Sequence, residues 1–258
     1  MTVKLNYSTQ GLGQPVILMH GMFGSLSNLG LLNRALSESY SVISVDMRNH
    51  GESPHSLEMD YPSMANDIIE LMNNLKLDQA NLIGHSMGGK VAMQVALTHP
   101  ERVNKLVVAD IAPVDYKPDR HGGVLEGLTS LATTRPTSRK EADQLLATYV
   151  DEPSVRAFLL KNLVRAEDGR FDLRLYMEGI IANYYDKLTL APTGEPFSGP
   201  SLFIKGEDSA YIQDKHRSEV LRLFPNTKLK IIANTGHWLH AEKPETFNKT
   251  VSVFLNDQ

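Results

Sequence analysis

Short apolar runs, several of them almost wholly apolar, alternate along the chain with longer segments whose apolar residues recur at helical spacing. The short runs predict strands over 3–7, 15–20, 41–46, 80–84, 105–110, 201–205 and 228–232. A strand buried on both faces loses the in-out alternation of a surface strand, so these runs point to a mostly parallel sheet covered by helices on either side. Between them, Met64, Ile68, Leu71, Met72 and Leu75 fall on one helical face, with Ser63 in front as an N-cap. A second helix over 87–97 stops at His99-Pro100, because proline disfavours helical geometry in the residue before it. A last helix begins at Pro244 and buries Phe247, Val251, Phe254 and Leu255.

One stretch breaks the alternation. From 114 to 198 no buried strand is evident, while Leu125, Leu128, Leu131, Leu145, Leu146, Phe158, Leu159 and Leu160 suggest several helices. That length is too great for a plain loop. The expected organisation is one α/β core domain over 1–113 and 199–258, with 114–198 inserted as a helical cap.

A chain of 258 residues suits one sheet-centred core of this kind. With 41% hydrophobic and 22% charged residues it has the balance of a globular protein, which excludes a disordered or coiled-coil chain. The net charge of −4 offers no general attraction to nucleic acid or an anionic membrane. Arg135, Arg139 and Lys140 read as a solvated helix start, not a binding patch. Without cysteine there is no thiolate catalysis, disulfide or cysteine-held metal, and no histidine spacing suggests zinc, so neither cofactor nor metal is expected. Residues 1–10 carry no apolar signal core, and no stretch reaches the length of a membrane span; a cytoplasmic protein is expected.

The strongest chemical signal is Gly84-His85-Ser86-Met87-Gly88-Gly89, a G-x-S-x-G pattern lying between a predicted strand and a predicted helix. A nucleophilic serine needs a sharp turn that lifts its hydroxyl above the sheet, and small neighbours permit that turn. The competing explanation, a glycine-rich turn with an idle serine, leaves the flanking elements unexplained. His20-Gly21-Met22-Phe23-Gly24-Ser25 follows the strand over 15–20, where a loop can supply a backbone N–H to an oxyanion; Met22 and Met87 are the expected donors. His237, in the loop after the last strand, is the expected general base. Of the other histidines, His85 is expected to pack or orient, His20 to anchor its loop and His240 to face solvent. Two carboxylates fit the chain order for the third member: Asp110 at the end of an apolar run, and Asp208 in an acidic turn. A substrate pocket would draw on Phe23, His85, Tyr116, His121, Phe158, Tyr176, Tyr211 and Trp238.

These residues, with Asp46-Met47-Arg48-Asn49-His50-Gly51-Glu52-Ser53, Asp110-Ile111-Ala112-Pro113-Val114-Asp115-Tyr116 and Gly236-His237-Trp238, make the chain resemble the α/β-hydrolase superfamily. More closely, it resembles the bacterial YbfF-type esterases and their mitochondrial abhydrolase relatives, over almost its whole length. The resemblance implies a sheet of about eight strands, a helical cap inserted after strand 6, and cofactor-free hydrolysis of acyl esters or thioesters. Most members carry the acid three residues after the glycine of the late loop, where this chain has Ser209. In the resembling subgroup the strand-end aspartate, here Asp110, serves instead, and Arg48 braces the site from behind. The expected activity is that of a serine carboxylesterase forming an acyl-enzyme. An acyl-CoA thioesterase and a ligand-binding receptor on the same fold stand as alternatives. The expected partner is a small acyl ester or thioester, with no nucleic acid, and monomer or homodimer left open.

Overall fold

The structure, a computed structural model, describes residues 1–117 and 121–257; residues 118–120 of the expected insertion and residue 258 lie outside it. Its strands are β1 (Tyr7–Gln10), β2 (Gln14–Met19), β3 (Tyr40–Val45), β4 (Ala80–His85), β5 (Val103–Ala109), β6 (Leu163–Arg165), β7 (Phe171–Leu173), β8 (Ser201–Gly206) and β9 (Thr227–Ile232). The helices are α1 (Gly30–Leu36), α2 (Tyr61–Asn74), α3 (Met87–Thr98), α4 (Gly122–Thr134), α5 (Arg139–Leu146), α6 (Pro153–Leu159), α7 (Met177–Asn183), α8 (Arg217–Leu223), α9 (Leu239–Glu242) and α10 (Pro244–Asn256).

Seven strands form one sheet in the order β1-β3-β2-β4-β5-β8-β9. All neighbours run parallel except β1, which is antiparallel to β3. Along the central strands successive side chains enter opposite cores. Ile17 and Met19 join Leu82, Leu106 and the apolar faces of α2 and α3. Val16 and Leu18 join Ile83, Val107 and, from α1 and α10, Leu32, Leu36, Phe247 and Val251. Each fully buried side chain of this size contributes about 1.5–3 kcal/mol.

Four details differ from the sequence expectation. The sheet has seven strands, and the helical connection follows its fifth, not its sixth. The first strand begins at Tyr7 instead of Val3, because side chains have claimed the backbone before it: Val3 N–H donates to Asp67 Oδ1 (2.7 Å) and Asn6 N–H to Ser53 Oγ (2.8 Å). Helix α2 starts three residues early, since Pro62 suits a first turn and Asp60, not Ser63, caps it by accepting from Ser63 N–H at 2.8 Å. The connection between β5 and β8 contains α4 to α7 as expected, but also the antiparallel pair β6 and β7.

Helix α3 fastens both ends of that connection. Lys90 is wholly buried, and its ammonium donates to the carbonyls of Val114 (2.9 Å), Thr189 (3.3 Å) and Leu190. Burial pushes its pKa down to about 7. One turn on, Gln94 Nε2 donates to the Thr193 carbonyl (2.7 Å) and its Oε1 accepts from Thr193 N–H (3.0 Å).

Candidate active site

The C-terminal ends of the parallel strands deliver the chemical residues. Ser86 joins β4 to α3 with φ 53° and ψ −119°, a conformation that costs a non-glycine residue about 1–3 kcal/mol. The turn is so close that a Cβ on Gly84 would lie 2.1 Å from the Gly88 carbonyl oxygen, and one on Gly88 would lie 2.3 Å from that of Met19. Two further site residues, Phe23 (φ 62°) and Asp110 (φ 52°), also adopt left-handed backbone.

Across this edge His237 Nε2 stands 3.0 Å from Ser86 Oγ, and His237 Nδ1 stands 2.8 Å from Asp110 Oδ2. Asp110 is completely buried, and its other oxygen accepts from Gly206 N–H at 3.0 Å. Ser209 also donates its hydroxyl to Asp110 Oδ2. Asp208 is exposed and contributes its backbone N–H to the Thr235 carbonyl (2.9 Å), so the structure brings Asp110, not Asp208, to the imidazole. An aspartate fixed on Nδ1 leaves Nε2 as the acceptor for the serine proton, the tautomer a general base requires.

Met22 and Met87 flank Ser86, and neither backbone N–H has an acceptor among the described residues. Ser86 also stands at the N-terminus of α3, whose dipole favours negative charge there.

Buried histidines hold these loops. His20 Nδ1 pairs with the Gly21 carbonyl (2.7 Å) while Nε2 accepts from Met47 N–H (3.0 Å). His50 Nδ1 pairs with the Arg48 carbonyl (2.9 Å) while Nε2 accepts from Phe23 N–H (3.1 Å). An imidazole that must accept on one nitrogen stays neutral, and burial reinforces this, lowering the pKa of His20 and bringing that of His50 to about 3. His85 donates from Nε2 to the His237 carbonyl (2.8 Å), and burial depresses its pKa strongly. His240 does not face solvent: it is buried against His85 with ring centroids 4.4 Å apart, and its pKa falls to about 4. Arg48 makes a fully buried ion pair with Asp67 (2.7 Å) behind the loops.

Several supporting residues carried no signal in the sequence. Glu242 accepts from Gly236 N–H (2.8 Å) and Trp238 N–H (3.2 Å), clamping the loop on both sides of His237. Asn162, from the β5–β8 connection, donates to the Phe23 carbonyl at 2.7 Å. Only the family register, which places an acid at position 209, could have drawn attention to Ser209. Of the expected pocket residues, Phe23, His85, His121, Phe158, Tyr211 and Trp238 line a cavity of about 430 Å³ at Ser86, and Tyr116 lines a smaller one. Tyr176 lines neither; it stacks on His55 with centroids 4.6 Å apart. Among the described residues no group of histidine, aspartate and glutamate side chains is arranged to hold a metal ion, and no helix is long and apolar enough to cross a membrane.

The profile of a family described as "alpha/beta hydrolase fold" matches residues 14–244. The chain is 37% identical to the esterase YbfF of Escherichia coli K12, covering 94% of this chain and 93% of that protein. It is 41% identical to the mouse (Mus musculus) sn-1-specific diacylglycerol lipase ABHD11, covering 93% of this chain and 80% of the other. A solved structure titled marine microorganism esterase superposes with a TM-score of 0.94 at 38% identity, over 98% of this chain and all of that one. Fold, strand-end site and sequence agree, and the chain belongs to the α/β-hydrolase family.

Proposed function

We propose that the protein is a serine esterase that hydrolyses acyl esters through an acyl-enzyme. The observation that carries this reading is the continuous hydrogen-bonded line from Ser86 Oγ through His237 to Asp110, set beside two unengaged backbone N–H groups. Ser86 attacks the ester carbonyl while His237 takes its proton, and Asp110 stabilises the imidazolium that forms. The Met22 and Met87 N–H groups receive the oxyanion. The leaving alcohol departs with the proton from His237, and a water molecule, deprotonated in turn by His237, clears the acyl group from Ser86. That relatives are named esterase and diacylglycerol lipase supports an ester as the bond attacked.

Residues 114–198 act in this reading as a cap over a core of 1–113 and 199–258. Supporting it, the large cavity draws His237 and Ser86 from one side and Val155 and Phe158 from the other.

Labelling with a fluorophosphonate followed by turnover of a simple ester tests the proposal. Ser86→Ala is expected to abolish labelling and lower kcat by on the order of 10⁶, the scale seen when a triad serine is removed. A variant that keeps near-native turnover would refute it.

A further inference from the structure

Two cavities of unequal size meet at Ser86. The larger, about 430 Å³, is lined by His237 and Trp238, by the apolar Val155, Phe158 and Leu159, and by Asp151 and Glu152. The smaller, about 50 Å³, is lined by Met87, Ile111, Leu188 and the tyrosines Tyr61, Tyr116 and Tyr184. Met22, Ser86, His121 and Tyr211 belong to both. Among the described residues His237 lines only the larger and Met87 only the smaller.

Stereochemistry decides which half of an ester enters which cavity. The tetrahedral carbon on Ser86 carries four groups: Oγ, the oxyanion, the leaving oxygen and the acyl chain. The oxyanion points to the Met22 and Met87 N–H groups. The leaving oxygen must receive the proton that His237 took from Ser86, so it stands on the side of His237, in the larger cavity. The acyl chain then lies on the side away from His237, where the smaller cavity, which His237 does not line, is the space at Ser86. That cavity, about 50 Å³ against about 430 Å³, has room for only a short chain.

Its walls are also braced against expansion. Tyr61 donates its hydroxyl to the Leu188 carbonyl (2.7 Å) and Tyr116 to the Tyr211 carbonyl (2.6 Å). The Lys90 ammonium lies between the two rings, 5.3 Å from the centroid of Tyr61 and 4.8 Å from that of Tyr116.

We propose that the small cavity receives the acyl group and limits it to a short chain, while the large, mostly apolar cavity receives the alcohol. The substrate class is then a short-chain carboxylic ester of a bulky apolar alcohol. This rests on the esterase reading above, and two substrate series separate the two claims. In octyl esters lengthened from acetyl to decanoyl, kcat/KM is expected to fall about tenfold or more past butanoyl, the scale one methylene commands in a confined pocket. In acetates lengthened from methyl to octyl it is expected to rise by about the same factor. Leu188→Ala should move the acyl cut-off to longer chains without altering the alcohol profile, and Phe158→Ala should flatten the alcohol profile without moving the cut-off. A kcat/KM that rises through octanoyl, or variants that act on the opposite series, overturns the assignment, and the wild-type series decide it even if Leu188→Ala fails to fold. Inertness toward every ester, with Ser86 unlabelled by a fluorophosphonate, would instead sink the esterase reading itself.

Discussion

Two sets of ion pairs show how differently the sheet-edge loops and the β5–β8 connection are built. Arg48 meets Asp67 beneath the loops with neither side chain exposed, and the guanidinium also donates to the carbonyls of Glu58 (2.6 Å) and Ser63 (3.1 Å). On the connection, Arg135 meets Asp168 and Asp172 in the open, its side chain 38% exposed. The first pair loses a buried charge's partner if either member is removed, whereas the second is screened by water. The ion pair beneath the loops is therefore fixed by burial and several partners, and the one on the connection is replaceable.

The sharpest way to break that contrast is at the acid. Asp110→Asn should lower kcat by about 10⁴, as loss of the carboxylate does in other triads. Asp208→Asn, on the exposed neighbouring turn, should stay within about twofold. Steady-state kinetics that reverse this order would return the role to the late loop.

Acid comes next. His50 and His240 have folded pKa values of about 3 and about 4, below the 6.5 of an unfolded chain. Above pH 6.5 both states are neutral and stability is complete. Below it the unfolded chain binds protons that the folded one refuses, so each histidine costs about 1.4 kcal/mol per pH unit until its folded pKa is reached. Urea midpoints measured from pH 7 to pH 4 should fall accordingly, and His240→Gln should make the slope shallower.

Arg48→Met should destabilise by about 3–5 kcal/mol, the cost of stranding a buried carboxylate. Arg135→Ala should leave the urea midpoint where it is, and an equal loss from both would erase the distinction between the two regions. A smaller loss is expected at Ser209, whose hydroxyl shares Asp110 Oδ2 with His237. Ser209→Ala should lower kcat by about tenfold, on the scale of a lost hydrogen bond to a charged group, and Ser209→Thr should restore much of it. A shift in the acidic limb of the pH–rate profile of the alanine variant is the readout that a merely structural role would not produce.

The same two regions differ in what the sequence discloses. Strands such as β4 and β5 are legible because burial on both faces leaves their central residues apolar, Leu82 and Ile83 in one and Leu106 to Ala109 in the other, and the elbow is legible because only glycine fits at positions 84 and 88. By contrast β1 is exposed at all four positions, and β6 and β7 have three residues each, too few to display a period. His240 looked like a surface residue because nothing local announces that His85 packs over it. The Glu242 clamp and the Asn162 contact were invisible for the same reason: each depends on where a distant loop arrives, not on its own neighbours in sequence.

One buried ammonium holds the carbonyls of residues 114, 189 and 190 to a single helix turn, so the polypeptide between them leaves and re-enters the core at nearly one point. Such a loop is already closed, whatever its length, and doubling it would cost only about 0.6 kcal/mol in closure entropy. Segments of quite different size could be spliced between those stems while the sheet beneath kept its register, which makes this junction a natural place to graft new specificity onto an unchanged reaction centre.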